Sequence, residues 1–354
     1  MRMPLKCLKD ERYKGGSVLV LVLIVLSSML ILSAGLAYRT RIEMRLAQAN
    51  ARRTQAYYLA LGGIERIKAL LSRQELTSSR IAEICRFTGS ADEEGLFEQL
   101  SESKLPEWAF LTYNLRDEQG YLNLNKSDPA SWANLGCLNQ DCQAAIIDWI
   151  DADENVSPAG AETDYYSRLE PAYISKNSPC VALKELLFLK GITHRLYVGE
   201  DLNRNLLLDE NETDGWLRMP LDNEDSVLDL GLVDIFTVYG VGKININTTS
   251  KRILSALQGI DEEAAELILT YRAGMDGEFG TEHDMVFTSS EDLNEVEGLT
   301  ELQIELLKQY CCFGSEFFRI FSSAGLNEDF QCCFMATVQY ADNQVRVLCL
   351  ERLL

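Results

Sequence analysis

Residues 14–38 read KGGSVLVLVLIVLSSMLILSAGLAY, and this stretch decides what kind of protein the rest must be. From Ser17 to Ala37 no charged side chain interrupts the apolar run. At about 1.5 Å per residue, such a run is just long enough to cross a hydrocarbon core of roughly 30 Å. A secretory signal has a shorter apolar run with a small-residue cleavage site behind it, whereas here the glycine pair stands in front and the helical pattern continues past the run. Ahead of it, Arg2, Lys6, Lys9, Arg12 and Lys14 outnumber Asp10 and Glu11, which favours a cytoplasmic amino end; Arg39, Arg41 and Arg45 count the other way. Beyond Tyr38 there is no proline up to the mid-seventies, and apolar residues recur at helical spacing at Ile42, Leu46, Ala49, Ala56, Leu59, Ile64, Ile67 and Leu71. One continuous helix, half in lipid and half outside, is expected.

The rest of the 354-residue chain has room for two or three small domains, and its 47% apolar content is that of a folded protein. A formal net charge of −21 works against binding nucleic acid or anionic lipid and favours hard divalent cations. Ten cysteines in a chain with an exported body suggest some disulfides, with Cys137 and Cys142 close enough in sequence to consider pairing. Burial of several as small hydrophobes is the alternative. Catalysis is not expected: His194 and His283 lie in unrelated contexts, outside any triad or metal-ligand spacing, and there is no phosphate-binding or dinucleotide fingerprint.

Two segments of the body resemble each other. Residues 120–154, GYLNLNKSDPASWANLGCLNQDCQAAIIDWIDADE, and 242–277, GKININTTSKRILSALQGIDEEAAELILTYRAGMDG, each open with a short strand ending in Asn-x-Asn. In each, a cap-like Ser or Thr then leads into a helix, a tight turn and a second helix with paired alanines. Residues 181–193, VALKELLFLKGIT, and 288–300, TSSEDLNEVEGLT, repeat in the same way, with Gly191 and Gly298 at the turns. The pattern resembles helix-hairpin-helix modules, which in many proteins bind DNA. Here the second glycine that would expose backbone N–H groups to a phosphate is missing, and Asp261, Glu262 and Glu263 stand where it would sit. Compact packing units are the expectation.

A short basic leader ending in glycine, an apolar helix starting at once and an amphipathic extension together resemble type IV pilin-like proteins. The likeness implies cutting after Gly16 by a prepilin peptidase on the cytoplasmic face, leaving Ser17 as the new amino terminus. Most such subunits carry glutamate at the fifth mature position; Leu21 is here, as suits a subunit at a tip with no neighbour above it. With residues 114–125 (NLRDEQGYLNLN), 148–166 (DWIDADENVSPAGAETDYY), 181–193 and 236–254, the chain resembles the general secretion pathway protein K family of type II secretion minor pseudopilins.

The resemblance implies an α+β fold: a long transmembrane and amphipathic helix with a pilin-type α/β domain, interrupted by a large, mostly helical insert. The expected divisions are a leader at 1–16, the helix at 17–75, the first part of the pilin-like domain at 76–129, the insert at 130–312 and closing strands at 313–354. It implies a single-pass inner-membrane protein with a periplasmic body that caps the pseudopilus, with minor pseudopilins I and J and the major pseudopilin as partners and no nucleic acid. The competing class is a membrane-tethered DNA receptor of the competence type, which would share the anchor and hairpins but need a basic groove.

Two acidic stretches are candidates for calcium. In residues 201–212, DLNRNLLLDENE, the side chains of Asp201, Asn203, Asn205, Asp209 and Glu212 fall at the loop positions a calcium loop uses, with Leu207 free to offer its carbonyl. Leu206 stands where such loops need glycine, and the flanks do not read as paired helices, so a solvated acidic loop is the alternative. The second is the cluster Asp151, Asp153, Glu162 and Asp164, in the loop where the family carries calcium. Carboxylates gathered by a Pro-Gly loop repel one another unless a cation sits among them.

Overall fold

The computed structural model describes residues 16–73, 88–90, 109–199, 230–277, 283–326, 330–342 and 344–352. In chain order these form α1 (Gly16–Arg73), β1 (Thr88–Ser90), β2 (Ala109–Asp117), β3 (Leu122–Asn123), α2 (Pro129–Ala133), α3 (Gln140–Ile150), α4 (Thr163–Tyr166) and α5 (His194–Val198). There follow β4 (Phe236–Thr237), β5 (Ile244–Asn245), α6 (Lys251–Ala256), α7 (Glu262–Ala273), α8 (Glu301–Tyr310) and β6 (Cys311–Cys312). The chain closes with β7 (Phe317–Leu326), β8 (Phe330–Ala341) and β9 (Gln344–Arg352).

Among the described residues nothing covers the apolar first half of α1: its large hydrophobic side chains from Val18 to Leu36 are exposed, as a lipid-facing segment requires. Its last turns differ. Ala56, Ala60, Ile64, Ile67 and Leu71 lie on one face and are buried against Leu111, Tyr113 and Leu115 of β2, Phe318 and Ile320 of β7, and Phe334, Ala336 and Val338 of β8. Small residues let helix and sheet approach closely. A Cβ on Gly63 would come within 2.3 Å of Ser322 Oγ, a hydroxyl that donates to the Ala60 carbonyl at 2.8 Å. The sheet is antiparallel, in the order β1-β2-β7-β8-β9, and its last hairpin turns through Asp342, held at a φ of 53°. Asp tolerates that left-handed conformation better than most side chains.

Between β2 and β7 the chain leaves the sheet and builds two copies of one arrangement. Each copy is closed by a short parallel strand pair, β3 with β4 and β5 with β6. Each also carries an asparagine that grips a distant backbone: Asn125 accepts from Cys180 N at 2.7 Å and donates to Cys180 O at 2.9 Å, and Asn247 does the same to Phe287 at 2.8 Å and 2.8 Å. Gly136, Gly191, Gly259 and Gly298, at the four turns between helical segments, all have positive φ. The N-termini of the longer helices are capped by side chains, Asn139 for α3, Asp261 for α7 and Thr300 for α8. One apolar core runs through both copies, from Leu122 and Trp132 to Leu307 and Cys311. The long stretch between α5 and β4 leaves and returns at adjacent points: Gly199 bridges Leu230, and a Cβ on Gly231 would sit 2.2 Å from the Val198 carbonyl carbon. The Cys137–Cys142 pairing weighed above is not made. All eight described cysteines are free, and Cys142, Cys180, Cys311 and Cys332 are buried, filling space as small hydrophobes.

Insert and sheet are joined by a buried polar node. Arg319 of β7 meets Glu118, just past β2, through two bonds, Nε to Oε1 at 2.5 Å and a terminal nitrogen to Oε2 at 3.0 Å. Arg319 also donates to the Val233 carbonyl at 3.1 Å, and the Thr237 hydroxyl donates to Glu118 Oε2 at 2.6 Å, so both ions are tied to the insert. Beside them Asp117 Oδ2 accepts from Asn245, Thr248 and Ser315, all within 2.7 Å. Burial works against the Arg319 charge, but the Glu118 carboxylate outweighs it and the guanidinium pKa is raised. Replacing only one partner strands a buried charge. Arg319→Met should therefore cost about 3–5 kcal/mol in urea unfolding of the detergent-solubilised chain, and Glu118→Gln with Arg319→Met distinctly less than the single change.

Candidate functional site

The loop that follows α3 gathers carboxylates where water is scarce. Asp148, on the buried side of α3, is wholly buried, and both its oxygens lie 3.2 Å from the Ser157 backbone N–H. Gly160 packs directly on it: a Cβ there would come within 2.0 Å of Asp148 Oδ2, so any side chain at 160 would have to displace that carboxylate. Glu162 caps the short helix α4 in sequence but makes no side-chain cap bond; it is 1% exposed, and among the described residues neither carboxylate oxygen has a hydrogen-bond partner. Asp151, at the end of α3, has one oxygen in the same condition. Glu154 stands at the rim, accepting from Thr163 and Asn177 at 3.2 Å each. Below the loop, Trp149 packs edge-on to Tyr166, which stacks on Tyr173 and makes a stiff apolar floor.

The electrostatics follow from that crowding. Burial pushes the Glu162 carboxyl above its usual value, Ser175 opposes it, and the carboxylates of Asp148, Glu154 and Asp151 add to the rise. Burial likewise raises Asp151, with Asp153 and Asp148 contributing as like charges. Of the four residues read from the sequence, Asp151 and Glu162 face this crowded region. Asp153 and Asp164 do not join it: Asp153 is exposed and accepts from its own loop at Asn155 N, and Asp164 is exposed in the first turn of α4. Asp148 takes their place. In the sequence it reads as one polar position on a helix, and its only signal is the i,i+3 spacing to Asp151.

Among the described residues, no group of three or more His, Cys, Asp or Glu side chains is spaced to hold a metal ion. The donor chemistry nevertheless suits a hard cation. All the donors are oxygens, and buried carboxylate oxygens without hydrogen bonds are what a calcium ion would satisfy. The candidate ligands Asp201, Asn203, Asn205, Leu207, Asp209 and Glu212 lie outside the described residues. Leu21 lies on α1, 63% exposed, and Gly16 begins that helix, with Ser17 next. His194 and His283 are both exposed. At the hairpin glycine before α7, Asp261 already accepts from Ala264 N at 2.8 Å, occupying the helix end a phosphate would need.

Comparison with known proteins follows the same outline. Residues 133–199 match the family model described as type II secretion system protein K. Type II secretion system protein K of Pseudomonas aeruginosa is 26% identical over 355 residues, covering 96% of this chain and 92% of that protein. The Aeromonas hydrophila protein of the same name is 27% identical, over 52% of this chain and 61% of its own. The crystal structure of the GspK-GspI-GspJ complex from the enterotoxigenic Escherichia coli type 2 secretion system contains a chain with the same fold. The match has a TM-score of 0.53 at 16% identity and covers 86% of this chain and 99% of that one. An exposed apolar helix that ends under a sheet, with a large insert carried between two of its strands, is the architecture that this likeness covers. Over nearly its whole length the chain is similar to type II secretion system protein K. The DNA-receptor alternative is not favoured.

The raised carboxyls give a pH signature. A carboxyl whose folded pKa exceeds its unfolded value contributes stability below the unfolded value and loses it as pH rises through the folded one. In chelator, the thermal midpoint should therefore fall as pH rises from the ordinary Glu value of 4.5 through the raised value of Glu162. Glu162→Gln should flatten that fall. An unchanged slope would mean that Glu162 does not carry it.

Proposed function

We propose that this chain is a minor pseudopilin of type II secretion that sits at the tip of the pseudopilus as a single-pass inner-membrane subunit with its body in the periplasm. Prepilin peptidase cuts after Gly16, Ser17 becomes the amino terminus, and α1 packs beside the helices of pseudopilins I and J and of the major pseudopilin. The observation that carries the reading is Leu21. A subunit inside the filament needs a carboxylate there to neutralise the ammonium of its neighbour, and leucine cannot supply one. Above the helix the two-copy insert, with a core separate from that of the sheet, adds bulk that blocks another subunit from docking on top. We read the two copies as helix-hairpin-helix-like units used for packing.

Calcium is part of the same reading. After α3, Asp151 and Glu162 would each offer an oxygen to it, and the 201–212 loop would hold a second ion. The ion would supply charge neutralisation, and these residues fix the loop over Trp149 and Tyr166. Supporting it are the orphaned oxygens of Glu162 and Asp151.

Two measurements test this. With prepilin peptidase present, the wild-type chain should shorten and Gly16→Val should stay full length; equal processing of both removes the pilin reading. In assembled filaments, a gold label on the body should mark one end only, and labels along the shaft would rule out capping.

A further inference from the structure

Between its lipid-facing half and the turns buried under the sheet, α1 has a bare neck in which almost every residue from 39 to 55 is exposed. At about 100° per residue, Arg41, Arg45 and Arg52 fall within about 40° of one another, with Gln48 between them, so they form one cationic stripe. The helix cannot neutralise this stripe itself. Arg39, on the opposite side, has its own carboxylate, with Nε 2.9 Å from Glu43 Oε1, but no acidic residue follows on α1 until Glu65. Among the described residues, Arg41, Arg45 and Arg52 have no ion pair. Three like charges aligned along a helix, in a chain whose net charge is −21, ask for a matching anion.

Geometry selects the kind of anion. The headgroup layer adds only about 5–8 Å beyond the hydrocarbon on each side, so lipid phosphates can meet Arg41. Arg52 lies about 20 Å past the end of the apolar run at Ala37, out of their reach. An anion that spans the whole stripe must rise parallel to α1. We infer that the Arg41–Arg45–Arg52 face is a docking surface for the anchor helix of a second membrane-anchored subunit, one that carries carboxylates along its own juxtamembrane turns. The guanidinium fork suits carboxylates. Aligned charges of this kind set register and partner choice, as the flanking charges of coiled coils do. The inference rests on the assembly reading above.

The test uses full-length chain co-expressed in membranes with I-type and J-type pseudopilins and purified in mild detergent. The combined change Arg41→Glu, Arg45→Glu and Arg52→Glu should reduce co-purification about tenfold, and the three corresponding lysine changes should largely preserve it. Changing the partner's juxtamembrane carboxylates to lysine should rescue the glutamate variant. Undiminished recovery of the glutamate variant, or loss without rescue, overturns the inference and leaves the assembly reading standing. If the wild-type chain recovers neither subunit, both fall. If the glutamate change alters only flotation with phosphatidylglycerol vesicles, the stripe is a lipid contact and the inference fails.

Discussion

Glu118 and Arg319 meet where water does not reach, and each is tolerable there because the other is present. One belongs to the chain leaving the sheet and the other to the chain returning to it, and both are bonded to the middle of the insert through Thr237 and Val233. A charged pair of this kind adds little net stability compared with an apolar pair of the same size, but breaking it is costly, and the penalty forbids other geometries. With Asp117 gathering Asn245, Thr248 and Ser315 at its side, the node holds the heavy insert at one orientation to the sheet and so to the membrane helix.

The insert solves a second problem by repetition. Its helices are short and cannot stand alone, since isolated helices below about a dozen residues are marginal in water. Each copy compensates with a parallel strand pair at its base and an asparagine that ties the first strand to the second hairpin. The copies then share one core, so the pair folds as a unit.

Much of this was legible in the sequence. The uninterrupted apolar run followed by helical spacing made α1 plain, because both the lipid span and the buried face of a helix impose their period on residue type. The two like segments were visible in Asn123-x-Asn125 and Asn245-x-Asn247, although the task of the second asparagine was not, since its partners lie 55 and 40 residues away. The node was hidden for the same reason. Asp117-Glu118-Gln119 reads as an exposed polar turn until Arg319, 201 residues on, is brought against it. That Asp148 is enclosed while Asp153 and Asp164 are exposed was not legible, because spacing cannot say which carboxylates a close-packed glycine will cover. The considered disulfide failed because nearness in sequence does not align two thiols, and a buried cysteine needs no partner.

The bridge between Gly199 and Leu230 carries a consequence for how this chain can change. Because the two ends of the intervening chain are already fastened side by side, lengthening or shortening that chain adds only a slowly growing closure entropy and leaves the stem undisturbed. The position is a ready port for grafted sequence beyond residue 212: an epitope or a reporter peptide could be spliced in there without unsettling the core beneath.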